Sequence, residues 1–158
     1  ENLPDLTSMV RQRLPEMPEQ MQRFWERDRP FEFRSVEPVQ DGTPRPGVRH
    51  LWFRLAGRCP ADAVLHRCPP AYASDFHLLE TATLPHGLSY HTGGVLLASL
   101  DHGMWFHRPF RIDDWLLYAL ISPSSSGARG MAFGRIFDRA GRLVASTAQE
   151  GLMRVRAG

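Results

Sequence analysis

The sequence predicts an α+β domain in which an antiparallel β-sheet wraps around one long central helix, and three observations carry the prediction. Ala61 to Leu79 (ADAVLHRCPPAYASDFHLL) is the one long stretch whose apolar residues, Val64, Leu65, Cys68, Tyr72, Phe76 and Leu79, recur at helical spacing. Segments of strand character stand before it, from Phe31, and after it, from Val95, separated by short Gly- and Pro-containing turns. Runs of strands with a single helix inserted bury their apolar faces as an antiparallel sheet packed on that helix.

In chain order, Glu1 to Arg29 reads as a connector interrupted by Pro4, Pro15 and Pro18, with Met17 to Trp25 forming a short helix whose Met21, Phe24 and Trp25 pack on a neighbour. The domain proper is expected over residues 30–158. Phe31 and Phe33 alternate with Glu32 and Arg34 as a half-buried strand, and Asp41 to Gly47 (DGTPRPG) turns the chain into a second strand, Val48 to Leu55. These two should pair like a hairpin. Past the helix, Glu80 to Gly94 is expected to be a loop, long enough to suspect a function. Four strands follow: Val95 to His107, Trp115 to Ile121, Ala128 to Asp138 and Leu143 to Val155, joined by turns at Pro109 to Asp114, Ser122 to Gly127 and Arg139 to Arg142.

The 158 residues suffice for one sizeable core, and 42% hydrophobic with 23% charged content is ordinary for a globular protein. A formal charge of +2 argues against a nucleic-acid partner. All 19 basic residues are Arg, so no lysine serves as a Schiff base or catalytic amine. Cys59 and Cys68 match no zinc spacing, no metal or cofactor motif is present, and a reducing compartment such as the cytoplasm is the simpler reading. No apolar run approaches membrane length, and no signal peptide precedes Glu1.

Within the helical stretch, Asp75 falls three residues after Tyr72 and four before Leu79, on the apolar stripe. A carboxylate there is either hydrogen-bonded, paired or used for chemistry, because an unpaired buried charge costs several kcal/mol, or it lies on the stripe's margin with its head group in water. Pro69 and Pro70 predict either a kink or a helix that begins at Pro69, in which case the stripe holds over Tyr72 to Leu79 only. By strand alternation Gln149 shares a face with Leu143, Ala145, Thr147 and Met153, a polar group among apolar ones.

The pieces SLDHGMWFHRPF, GRIFDRAGRLVAS and QEGLMR, within Leu96 to Arg154, together with YASDFHLL in the helix, closely resemble the second half of the type II acyl-CoA thioesterases. Those enzymes carry two hotdog domains in one chain, the hotdog being an antiparallel sheet curled around a helix. The resemblance implies hydrolysis of fatty acyl-CoA thioesters by a water held between three polar residues. It assigns the helix acid to Asp75, the hydroxyl two residues before the Asp-His pair to Ser99, and the amide of the Gln-Glu-Gly run to Gln149. It also implies a second hotdog domain as partner, either the protein's own N-terminal half or another copy.

The residue types suit that chemistry, since a thioester needs a positioned water and stabilisation of a developing oxyanion. Asp101 and His102, with His107, could suggest a dyad or metal pair, but neighbours on a strand point to opposite faces, and His102 and His107 are read as structural or interface residues. Ser122 to Gly130 contains neither G-x-S-x-G nor S-x-x-K, which argues against a covalent serine hydrolase. Arg108, Arg111 and Arg129 are candidates for coenzyme A phosphates or plain surface residues. An idle acyl-binding hotdog is the alternative function. A hotdog hydratase ranks last, as His77 sits on the far side of the helix from Asp75.

Overall fold

The computed structural model describes residues 2–17, 19–26, 30–38, 42–89 and 94–155. Its first helix, α1 (Leu6–Arg11), is capped by Asp5, whose carboxylate accepts the Ser8 N–H at 2.8 Å. Leu6 and Val10, one turn apart, enter the main core, and Asp5 bridges to Arg34. The opening segment expected to be a connector therefore contributes core residues. A 3-10 turn at Leu14–Glu16 leads to α2 (Glu19–Glu26). The expected packing of Met21, Phe24 and Trp25 lies outside the described side chains.

Strands β1 (Phe31–Ser35) and β2 (Val48–Leu55) pair antiparallel with Phe33 opposite Phe53, as the hairpin reading anticipates. The remaining strands are β3 (Val95–Ser99), β4 (Gly103–Phe106), β5 (Leu116–Ser126), β6 (Arg129–Phe137) and β7 (Leu143–Val155). All described pairings are antiparallel, in the order β1-β2-β5-β6-β7-β3, with β4 also on β7. The single strand expected over Val95 to His107 is thus two, which pair with successive parts of β7 and are separated by a break at Leu100 to His102. Strand β5 runs farther than expected. It passes Pro123, which lacks a ladder donor, through a register shift between Ile121 and Ser124. The turn then shrinks to Gly127 and Ala128, both at φ of 59°, the left-handed pair that matches the twist of a tight hairpin.

Helix α3 spans Cys68–Leu78, with Pro69 and Pro70 in its first turn. Amides there have no intrahelical acceptor, so the prolines start the helix without kinking it. Residues 61–67 form turns instead, and the predicted stripe is not the buried one: Val64, Leu65 and Tyr72 are exposed. The buried face is Pro70, Ala73, Ser74, His77 and Leu78, at the same three-and-four spacing but rotated around the axis. From Leu79 the chain tightens into a 3-10 helix to His86, in place of the expected loop, and Gly87 ends it in left-handed conformation.

Glycines let the 3-10 segment lie close on the sheet. Gly130 and Gly151 oppose each other on β6 and β7, and a Cβ on them would stand 2.6 Å from Ala82 and 2.2 Å from Leu79. A Cβ at Gly134 would fall 2.2 Å from the Tyr118 ring. The helical segment lies in a trough that side chains would fill. Among the described residues, no helix is long and apolar enough to cross a membrane.

Candidate active site

Gln149 sits on the inward face of β7, whose alternation of buried and less buried residues matches the expectation, and its side chain is fully buried. Its Nε2 donates to Asp75 Oδ1 at 2.5 Å and to Ser99 Oγ at 2.9 Å. Ser99, the last residue of β3 and opposite Gly151, also donates to Asp75 Oδ1, at a longer 3.4 Å. A carboxylate only accepts, so the amide turns its nitrogen toward Asp75 and Ser99. The backbone-paired, core-edge role that an isolated buried Gln most often takes does not apply. Its Oε1 is buried without a hydrogen bond among the described residues.

Asp75 projects from the middle of α3, and its side chain is 55% exposed. It stands on the open flank of the helix beside Tyr72, with its inner oxygen hydrogen-bonded to Gln149 and Ser99, so it is both bonded and open to water. The three predicted residues come together from a helix and two strands. Ser74, next to Asp75, is fully buried: its Oγ donates to Ala71 O at 3.1 Å, and its carbonyl accepts from Tyr118 Oη at 3.2 Å. Burial pushes the Tyr118 hydroxyl well above its ordinary range, so it stays a neutral partner of Ser74 and of Thr147, 2.8 Å away. This pins the helix to β5 and β7 directly beneath the site.

One residue set aside by sequence reasoning is brought in. His102 places Nε2 2.9 Å from Ser74 Oγ and Nδ1 3.9 Å from Asp75 Oδ1. The alternation argument fails because His102 is in the break between β3 and β4. Its neighbour Asp101 is bound there to β7, accepting the Glu150 N–H at 2.7 Å. The signal available in the sequence was only the adjacency of Asp-His to Ser99. His107 pairs with Ser146 at 2.9 Å, in the structural role expected.

The other candidates lie elsewhere. His77 is on the buried side of α3, 3.1 Å from Glu80 and edge-on to Phe33. Arg108 donates to Leu143 O, and Arg111 holds Asp113 and Cys59 O in a cleft of about 460 Å³ where β5 begins. Arg129 is 3.6 Å from Glu150 and, with Arg154 and Met153, lines a depression of about 550 Å³ at the opposite end of the sheet. Cys59 and Cys68 are free thiols.

With this geometry in view, likeness to known proteins becomes informative. The family model described as acyl-CoA thioesterase matches residues 21–152. The chain is 38% identical over 156 residues to acyl-CoA thioesterase 2 of Haemophilus influenzae, covering 98% of this chain and 54% of that protein. It is 41% identical over 133 residues to acyl-coenzyme A thioesterase 8 of Mus musculus, covering 80% and 40%. The crystal structure of the acyl-CoA thioesterase II TesB2 from Mycobacterium marinum superposes with a TM-score of 0.70 at 40% identity, over 82% of this chain and 51% of that one. A hot dog fold protein from Alicyclobacillus acidocaldarius, 16% identical, shares the fold at a TM-score of 0.63 over 81% of this chain and 47% of that one. The chain spans about half the length of the curated relatives it matches. A curled antiparallel sheet on one helix, together with a family match over most of the chain, makes this a hotdog-fold member of the acyl-CoA thioesterase family.

Proposed function

We propose that the whole protein hydrolyses fatty acyl-CoA thioesters to free acid and coenzyme A, and that Asp75, Ser99 and Gln149 activate the water. The convergence of Gln149 and Ser99 on one oxygen of Asp75 is the observation that supports this reading most directly. With that oxygen held by an amide and a hydroxyl, the exposed carboxylate is aimed and still open to solvent. Its partners are neutral, so its charge is left to draw a proton from water as the oxygen attacks the thioester carbon. The C–S bond then breaks, and the proton carried by Asp75 goes to the leaving thiolate. No residue is acylated on this route.

The partner is a second hotdog unit, since this chain spans only part of its relatives. Tyr72 on the helix flank and Leu96 and Leu100 at the β3 edge are exposed, and they adjoin Asp75 and Ser99 in sequence. An open strand edge with apolar residues calls for a covering surface. The two free thiols support a reducing compartment such as the cytoplasm.

Free-thiol release from an acyl-CoA length series, measured on the full-length protein, tests the activity. Release is expected for some chain length. A folded protein that binds acyl-CoA but releases no thiol from any member leaves an idle acyl-binding domain as the function.

A further inference from the structure

The proposed water-activating site has few free acceptors. Both amide hydrogens of Gln149 are committed, to Asp75 and to Ser99, and the one hydroxyl hydrogen of Ser99 is directed at Asp75. A nucleophilic water must anchor both of its hydrogens so that a lone pair points at the carbonyl carbon; Asp75 Oδ1 already accepts from Gln149 and Ser99, so Oδ2 supplies one anchor, and Ser99 Oγ, which accepts from Gln149, has a single lone pair left. Gln149 Oε1 is too deeply buried to be the other.

His102 has the geometry for it. With Ser74 Oγ donating its single hydrogen to Ala71 O, it accepts from His102, and Nε2 then carries the imidazole hydrogen. In the neutral ring Nδ1 is then a bare acceptor. It stands 3.9 Å from Asp75 Oδ1, too far for a direct bond, and because that oxygen is already held by Gln149 and Ser99, the water that Nδ1 shares with Asp75 sits on the free Oδ2. The ring is held in this pose: its side chain is 23% exposed, and Asp101 fastens the segment to the backbone of Glu150, next to Gln149.

We propose that His102 is a catalytic residue whose Nδ1 takes the second hydrogen of the attacking water, while Asp75 takes the first. The inference rests on the hydrolytic reading above. In the step, the water oxygen forms its bond to the thioester carbon, the hydrogen on Asp75 leaves the water as a proton and passes to the departing thiolate, and the hydrogen on Nδ1 stays with the new carboxyl group.

Two substitutions in the full-length protein separate this role from a purely structural one. His102→Gln keeps an amide nitrogen where Nε2 donates to Ser74 and leaves nothing at Nδ1. His102→Asn keeps an acceptor near Nδ1 and gives up the Ser74 bond. The expected result is that His102→Gln melts like the parent and retains KM, with kcat reduced about tenfold to a hundredfold, the effect of losing one positioned hydrogen bond to a reacting atom. His102→Asn should recover part of kcat despite a lower melting temperature. Parental kcat in His102→Gln, or kcat that follows thermal stability in both variants, overturns the proposal. Asp75→Asn run alongside tells the two readings apart: if it is inactive while His102→Gln is fully active, only the His102 role fails, and if Asp75→Asn is itself fully active, the water-activating site fails with it.

Discussion

Two carboxylates five residues apart on one helical segment, Asp75 and Glu80, meet opposite fates. Glu80 points to the interior, 13% exposed, where Arg49 of β2 reaches it at 2.6 Å and His77 at 3.1 Å. Asp75 points to the open flank, 55% exposed, and its closest partners are an amide and a hydroxyl. A guanidinium compensates the charge it binds and locks it in place, whereas neutral donors orient a carboxylate and leave its charge available. The first arrangement ties helix to sheet. The second is suited to receive a proton from a solvent-derived nucleophile.

The comparison breaks if the two acids exchange consequences. Asp75→Asn should lower turnover about a hundredfold to ten-thousandfold, the worth of general-base assistance, with stability within about 0.5 kcal/mol of the parent as for other exposed sites. Steady-state kinetics with thermal melting reads both. Glu80→Ala should do the reverse: stranding a buried arginine costs about 3–5 kcal/mol, while the molecules that remain folded turn over substrate normally. If Glu80→Ala were stable but inactive, the division between structural and chemical acid would be wrong.

Charge at the open site gives a sharper test. Gln149→Glu nearly preserves shape but puts a second negative charge where Nε2 contacts Asp75. Like-charge repulsion favours a proton on one of the two acids, so activity should fall and its optimum move to higher pH. An unchanged pH–rate profile would separate Gln149 from the chemistry.

Packing under the site should matter less for chemistry and more for stability. Gly134→Ala drives a methyl to within 2.2 Å of the Tyr118 ring, and overpacking of this kind costs about 1–3 kcal/mol. Denaturant unfolding checks it, and full stability would show that Tyr118 has room to move. Ser99→Ala is expected to slow turnover less than Asp75→Asn does, and Ser99→Thr to stay active because it keeps the hydroxyl. A covalent acyl adduct on Ser99 in mass spectra would sink the water mechanism and leave the fold unaffected.

The smallest effect concerns a third acid. Arg111 and the Cys59 N–H hold Asp113 down at about 2, below its ordinary 3.8. A folded-state value below the unfolded one stabilises the protein fully above pH 3.8, and the contribution is lost as pH falls toward about 2. Melting temperatures across that window should decline less steeply in Asp113→Asn than in the parent.

Much of this was legible beforehand. Alternation located the β1–β2 pair, β6 and β7 and placed Gln149 on the inward face, because a period of two follows from backbone geometry alone. Of the two outcomes the prolines left open, a kink or a helix start, the start is realised one residue earlier than Pro69, since a missing amide is tolerated in the first turn. Motif likeness picked out Asp75, Ser99 and Gln149, which the fold does bring together.

What only the tertiary structure decided was which side of the helix is covered. Helical periodicity shows where large apolar groups recur, and the stripe through Tyr72 and Phe76 is real, with their rings 5.0 Å apart. Burial, however, depends on the surface that receives the helix: Gly130 and Gly151 leave room for Ala82 and Leu79, and Tyr118, whose ring lies over Gly134, meets the backbone of Ser74. The rotation of the buried face turns Asp75 outward. Leu79–His86 was missed for a related reason: its helical state comes from packing against the sheet, not from its own pattern. His102 stayed hidden because alternation holds only while a strand continues, and whether β3 ends at Ser99 is set by where β7 can pair with it.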